Sequence, residues 1–310
     1  MEFLYLLEKI RLPGLNEFML AITTLGEETA FLVVGLLVFW CFHKKWGYYV
    51  MSVGFCGNII SQFMKNLCRI PRPWVLDENF TILEQAREAA SGYSFPSGHT
   101  QSAVGTFGAI AACTRKRWIQ AVCISLAVLV GFSRMYIGVH TPADVVVGAV
   151  LSVVLILVLY PLFFGKADRT QWVLAGTFVL SVAYLIFIEV WPFPADTDIH
   201  NLESATKNAY TLLGASGGLA LVYPLERKFV NFEEKAPFAG QILKFVLGLA
   251  VVLAVKEGMR FPLDALFAGH LAARSIRYLL IVFVAGFLWP MTFRFFRKIG
   301  LKKCSACQER

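Results

Sequence analysis

Apolar residues in this chain do not alternate with polar ones; they run in blocks broken by short polar or charged interruptions. A bilayer core of about 30 Å needs roughly 20 apolar helical residues. Nine blocks approach that length, at about 28–43, 47–67, 98–114, 118–136, 141–163, 171–191, 208–225, 239–256 and 276–295. They predict an all-α integral membrane protein, a helical bundle with about nine transmembrane helices. Residues 1–27 differ, being amphipathic, with Glu8, Lys9, Arg11 and Glu17 around a Pro13-Gly14 break. An interfacial or re-entrant segment is expected there, a short span being the alternative. The acidic Met1-Glu2 start and the lack of a small-residue cleavage site argue against a cleaved signal.

Composition strengthens this picture. Of 310 residues, 57% are hydrophobic and 16% charged, with a mean hydropathy of +0.62. A soluble chain carries about 25% charged residues, so soluble domains, disorder and coiled coil are excluded. No internal repeat is evident. A shift near residue 165 separates a motif-bearing core, residues 28–163, from residues 164–310, which hold four further spans and a basic tail but no motif.

Charge sets the expected orientation, because Lys and Arg concentrate on the cytoplasmic side. One set of helix ends, with Lys44, Lys45, Arg115, Lys116, Arg117, Lys166 and the tail among its residues, carries 16 basic against 5 acidic side chains. The other set carries 12 against 16. The N-terminus and the loops at 68–97, 137–140, 192–207 and 257–275 are therefore expected outside, and the C-terminus in the cytoplasm. The net charge of +8 is then a matter of topology, and no nucleic-acid partner is expected. Cysteines add little: Cys68 alone falls on the outer side, and Cys304-Ser-Ala-Cys307 is half a zinc site.

The candidate chemistry sits at the outer ends of the second to fifth spans. Lys65 is followed by Arg72-Pro73; Pro96-Ser97-Gly98-His99 opens a span; Ser133-Arg134 closes the next; His140-Thr-Pro-Ala-Asp144 opens the one after. Each fragment alone has a plain structural explanation. Lys65 and Arg72 could snorkel to the interface, Ser97 could cap a helix, and Thr141, Pro142 and Asp144 make a good helix start. Their meeting on one face favours a phosphate site. Lys65, Arg72 and Arg134 supply cations, and the amides at Ser97, Gly98 and His99 open a helix, where an anion is favoured. His140 and Asp144, four residues apart, let a carboxylate hold one imidazole nitrogen protonated and leave the other as nucleophile.

In order and spacing, K-x6-R-P, P-S-G-H and S-R-x5-H-x3-D resemble the three-part signature of the type 2 phosphatidic acid phosphatase superfamily, over residues 65–144. The resemblance covers roughly residues 15–163, leaving the four later spans as additions. It implies a membrane phosphatase in which His140 is the nucleophile, forming a phosphohistidine. Asp144 would orient His140, and His99 would serve as general acid and then base. Lys65, Arg72, Ser97, Gly98 and Arg134 would bind the phosphoryl oxygens. Neither metal nor other cofactor is implied. The implied substrate is a lipid phosphate or polyprenyl diphosphate (undecaprenyl diphosphate, phosphatidylglycerol phosphate or phosphatidic acid), with membrane lipids as the surroundings.

Three rivals share these residues. A phosphotransferase would pass the group to a sugar or lipid, a vanadate-dependent haloperoxidase would use the same anion cradle, and a lipid-binding or transport protein would use no chemistry. In the loop at 74–95, Trp74, Phe80 and Tyr93 could contact an acyl or prenyl chain, while Asp77, Glu78, Glu84 and Glu88 keep it solvated. Asn58, Ser61 and Gln62 could line a pocket or bond between helices. Lys256, Glu257, Arg260, His270, Arg274 and Arg277 could recognise a second phosphate or a sugar, or anchor loops at headgroup level. His200 reads as a lone loop histidine, and His43 as an edge residue. A bacterial plasma membrane is compatible with all of this, the site facing outward.

Overall fold

The computed structural model describes residues 1–87, 90 and 92–299, and its regular structure among these is helical. α1 (Glu2–Lys9) and α2 (Pro13–Thr23) lead through a tight turn at Thr24–Gly26 into α3 (Glu28–Leu37), which widens into a π-type turn at Val38–Phe42. α4 (Lys44–Cys68) and the short α5 (Pro73–Leu76) precede a loop, then come α6 (Gly98–Cys113), α7 (Arg117–Tyr136) and α8 (Pro142–Phe164). The remainder is α9 (Thr170–Val190), α10 (Ile199–Leu225), α11 (Phe238–Gly258), α12 (Arg260–Leu266), α13 (Ala272–Phe283) and α14 (Phe293–Phe296).

All nine expected segments are helical, but nine crossings are not reached by length and composition. Among the described residues, five stretches are long and apolar enough to cross a membrane: Arg117–Tyr136, Pro142–Phe164, Thr170–Val190, Phe238–Leu266 and Ala272–Phe296. A sixth follows if Pro13–Gly26 and Glu28–Phe42, bent by 59°, form one broken span; the same bend also suits a re-entrant loop. The difference has a physical cause. α4, packed against α6, α8 and α9, holds Ser61, Lys65 and Asn66 buried among its neighbours, whereas α6, at 16 residues, is simply short for a crossing. A helix enclosed by other helices need not be apolar all round, because its polar groups face protein instead of lipid.

The bend beside α2 depends on Gly26. A methyl group there would lie 2.8 Å from both the His99 carbonyl oxygen and Val130 Cγ1, so only glycine allows the turn to seat against α6 and α7. The N-terminal segment is held from below by Arg11, whose Nε donates to the Tyr136 carbonyl at 3.0 Å and whose Nη1 donates to that of Thr81 at 2.8 Å. Leu4, Phe80 and Ile82 form a small apolar cluster under it. At the other end of the bundle Lys44, Lys45, Asp168, Glu226 and Arg227 pair with one another. Lys44, Lys45 and Arg227, three of the basic residues the sequence groups on one side, thus lie together.

The second half packs chiefly through α10, which lies along α13 and α9. Small residues let α10 and α13 approach: a methyl on Gly214 would sit 2.0 Å from the Ser275 carbonyl oxygen, and one on Gly218 would sit 2.8 Å from Val282 Cβ. Ser275 Oγ donates to the Tyr210 carbonyl at 2.7 Å across the same seam. Overpacking of this kind costs about 1–3 kcal/mol. Gly214→Ala is therefore expected to lower the thermal unfolding midpoint in detergent by several degrees, and an unchanged midpoint would show that the seam gives way freely.

Candidate active site

Four elements converge on one chamber. α4 brings Lys65 in its last turn, and the helix stops where Arg69 takes a left-handed conformation (φ 49°) with its N–H bonded to the Lys65 carbonyl. That reversal turns the chain toward Arg72, ahead of Pro73 at the start of α5. Ser97 caps α6, its Oγ accepting from the Thr100 N–H at 3.4 Å and hydroxyl at 2.9 Å, so Gly98 and His99 open the helix. Arg134 ends α7, and its carbonyl accepts from the amides of Val139 and His140, closing the turn that presents His140. Thr141 and Asp144 form a reciprocal capping box, with Pro142 at the first position of α8.

His140 is almost wholly buried. Arg72 Nη1 lies 2.9 Å from His140 Nε2, while Asp144 Oδ2 lies 3.5 Å from Nδ1. An arginine can only donate, so Nε2 must be the acceptor and Nδ1 the nitrogen that carries the proton. Ser94 completes the set: its Oγ donates to Asp144 Oδ2 at 2.6 Å and lies 3.4 Å from His140 Nδ1. Thr141 N–H adds a bond to the same carboxylate oxygen at 2.8 Å. Asp144 therefore caps α8 and faces the imidazole at once; the structural and the chemical explanation of its presence are not exclusive. Burial, followed by the charges of Arg72, Arg134 and Lys65, holds the His140 imidazole well below its ordinary pKa. Its contact with Asp144 is thus that of a neutral ring with a carboxylate. Burial also brings the Arg72 guanidinium down to about 10, Asp144 opposing the shift.

The cations are anchored on backbone and hydroxyl oxygens. Lys65 Nζ donates to the Tyr93 carbonyl and, at 3.5 Å, to that of Ser94. Arg72 also bonds the carbonyls of Gly92 and Val139, each at 3.0 Å, and Arg134 Nη1 bonds Thr23 Oγ1 at 2.6 Å. His99 Nε2 and Arg134 Nε are buried without a protein partner among the described residues. Such orphaned groups are costly to bury, and here both side chains line the chamber.

That chamber has a volume of about 710 Å³. Lys65, Arg72, Gly98, His99, Arg134 and His140 lie on its wall, whereas Ser97 and Asp144 stand behind it. A methyl on Gly98 would meet nothing nearer than Lys65 Cε at 4.0 Å, so glycine here keeps space open in the chamber; no close backbone contact demands it. Other expectations shift. Phe80 is sealed under the N-terminal helix, unable to meet a substrate chain, and Trp74 lies within 6 Å of both the Arg72 and Arg87 guanidinium groups. Tyr93 lines the chamber, as do Asn58 and Gln62. His200 stands in the first turn of α10, also on the chamber wall. Ser94 escaped the sequence reading, since a serine three residues ahead of Ser97 carries no distinguishing pattern. His43 caps α4. Glu88 and Cys304-Ser-Ala-Cys307 lie outside the described residues.

Two family models and several curated proteins match the sequence. The family model described as the PAP2 superfamily matches residues 45–168, and that described as PAP2 superfamily phosphatase, transmembrane extension, matches residues 210–303. Phosphatidylglycerophosphatase B of Bacillus subtilis is 31% identical over 160 residues, covering 47% of this chain and 74% of that protein. An undecaprenyl-diphosphatase of Sulfolobus acidocaldarius is 28% identical over 49% of this chain and 72% of its own length. Sphingosine-1-phosphate phosphatase 1 of Mus musculus is 24% identical over 258 residues, 77% of this chain and 58% of that one. No solved structure matches the chain.

Proposed function

The chain belongs to the PAP2 superfamily, and from that premise we propose that it is an integral-membrane lipid phosphatase working through a phosphohistidine on the extracytoplasmic face. The observation that carries the reading is the Arg72–His140 contact at 2.9 Å, because it makes Nε2 the unprotonated nitrogen, facing a cation on the chamber wall that a phosphoryl group can take over. In the first step Nε2 attacks phosphorus, the bond to the lipid oxygen breaks, and His99 gives that oxygen a proton. Asp144 and Ser94 hold the Nδ1 proton as the ring becomes positive. In the second step His99 takes a proton from water, water oxygen bonds to phosphorus, and the P–N bond breaks. Lys65, Arg72 and Arg134 compensate charge on the phosphoryl oxygens in both steps, a role that needs no metal.

Sidedness rests on the distribution of Lys and Arg, and the lipid class on the relatives, whose names point to phosphatidylglycerol phosphate, undecaprenyl diphosphate and sphingosine-1-phosphate. The bacterial plasma membrane is the location that suits the first of these. Residues 28–163 form the catalytic core in this reading, and residues 164–310 an addition to it.

The test is phosphate release by purified protein from phosphatidylglycerol phosphate, undecaprenyl diphosphate and phosphatidic acid, with EDTA present throughout. Release from at least one is expected. A phosphorylated alcohol appearing in place of free phosphate would turn the assignment to phosphotransfer, and no release by folded protein would overturn it.

A further inference from the structure

α10, from the C-terminal half, lines the chamber from His200 to Thr211, about 16 Å of helix at 1.5 Å per residue. A chamber of about 710 Å³ is the size that takes a whole small molecule, far more than one phosphate group. At its Thr211 end the Thr211 hydroxyl accepts a hydrogen bond from Arg274 Nε at 2.7 Å. Arg274 and Tyr278 line the chamber and also a neighbouring cavity of about 510 Å³. Lys256, Arg260, Arg274 and Arg277 face that second cavity, with Glu257 and Asp264 as the carboxylates. Lys256 and Glu257 approach to 3.9 Å, but both are largely exposed, and such a pair cancels little field. Arg277 Nε is buried without a protein partner among the described residues. Positive charge is therefore in excess, and two guanidinium groups offer the forked donors that suit a phosphate.

We propose that this second cavity is an anion subsite, and that the preferred substrate is a lipid phosphate carrying a second phosphate-type group, separated from the scissile one by a polar linker. The proposal rests on the phosphatase reading and names its substrate class. The scissile phosphate meets Lys65, Arg72 and Arg134; the linker crosses the α10 wall; the second phosphate meets Arg274 and Arg277.

The experiment compares phosphatidylglycerol phosphate with phosphatidic acid of the same acyl chains, in neutral detergent micelles. kcat and KM are measured for the wild type, the double variant Arg274→Gln/Arg277→Gln, and the charge-preserving Arg274→Lys/Arg277→Lys. Loss of a charge-assisted contact predicts a rise of about tenfold or more in KM for the doubly phosphorylated lipid. Less than a twofold change is expected for phosphatidic acid, and the lysine pair should recover most of the loss. Equal losses on both lipids, or none on either, would overturn the subsite. So would an Arg274- and Arg277-dependent response of both substrates to added phosphatidylglycerol, which would show the cluster reading the surrounding lipid surface. Binding of both lipids to His140→Ala protein, with and without the glutamine pair, separates this proposal from the one it rests on. If the wild type releases no phosphate yet the pair selectively weakens binding of the doubly phosphorylated lipid, the phosphatase reading fails and the subsite stands.

Discussion

His140→Ala is expected to reduce phosphate release at least about ten-thousandfold while leaving the protein folded. The magnitude follows from the role: losing a nucleophile removes a whole covalent route, and what survives is the modest effect of binding and electrostatics. The protein should survive because Nδ1 and Nε2 have Asp144, Ser94 and Arg72 as partners, and each of those retains other bonds. Asp144 keeps Ser94 and the Thr141 amide, and Arg72 keeps the carbonyls of Gly92 and Val139. Phosphate release and the thermal unfolding midpoint should be read on the same preparation. A midpoint within a few degrees of wild type together with substantial residual turnover would move the nucleophile elsewhere, with His99 the next candidate.

Arg72→Gln is expected to cost about a hundred- to a thousandfold in kcat/KM, the range for deleting one donor that stabilises developing charge. In the structure Arg72 occupies the Nε2 lone pair, so attack on phosphorus requires that contact to be exchanged for the phosphoryl oxygens. A phosphate entering the site supplies the better acceptor, and the exchange exposes the nucleophile at the moment its target arrives. Arg72→Lys retains charge but loses the planar fork, and should recover only part of the activity. Turnover numbers for the three proteins at saturating and limiting substrate decide this. If the glutamine variant changed KM alone, Arg72 would contribute to binding and not to the bond-breaking step.

Much of this was legible beforehand. The helical segments follow from the apolar blocks, and Lys65, Arg72, His99, Arg134 and His140 do meet on one chamber, because motifs at the ends of alternating spans are forced to the same face. The number of crossings was harder. Hydropathy reports the surroundings a helix would have alone, and α4 and α10 have other helices packed against them, while α6 is short, at 16 residues. Ser94 and His200 were hidden for a different reason. A hydroxyl that bridges a carboxylate and an imidazole is defined by tertiary distance, and the turn before α10 gives no sign that α10 runs beside α4. The gathering of Lys256, Arg260, Arg274 and Arg277 into a cavity likewise depends on how α11, α12 and α13 fold back on one another.

One wall of the chamber belongs to α10 and α13, which carry none of the signature residues. Transplanting the eight candidate site residues into another bundle would therefore transfer the reactive groups without the container that selects what reaches them. Conversely, redesign of residues 200–211, 274 and 278 is a way to retune such a catalyst without touching a single reacting atom. Two chains with the same signature need not be interchangeable parts.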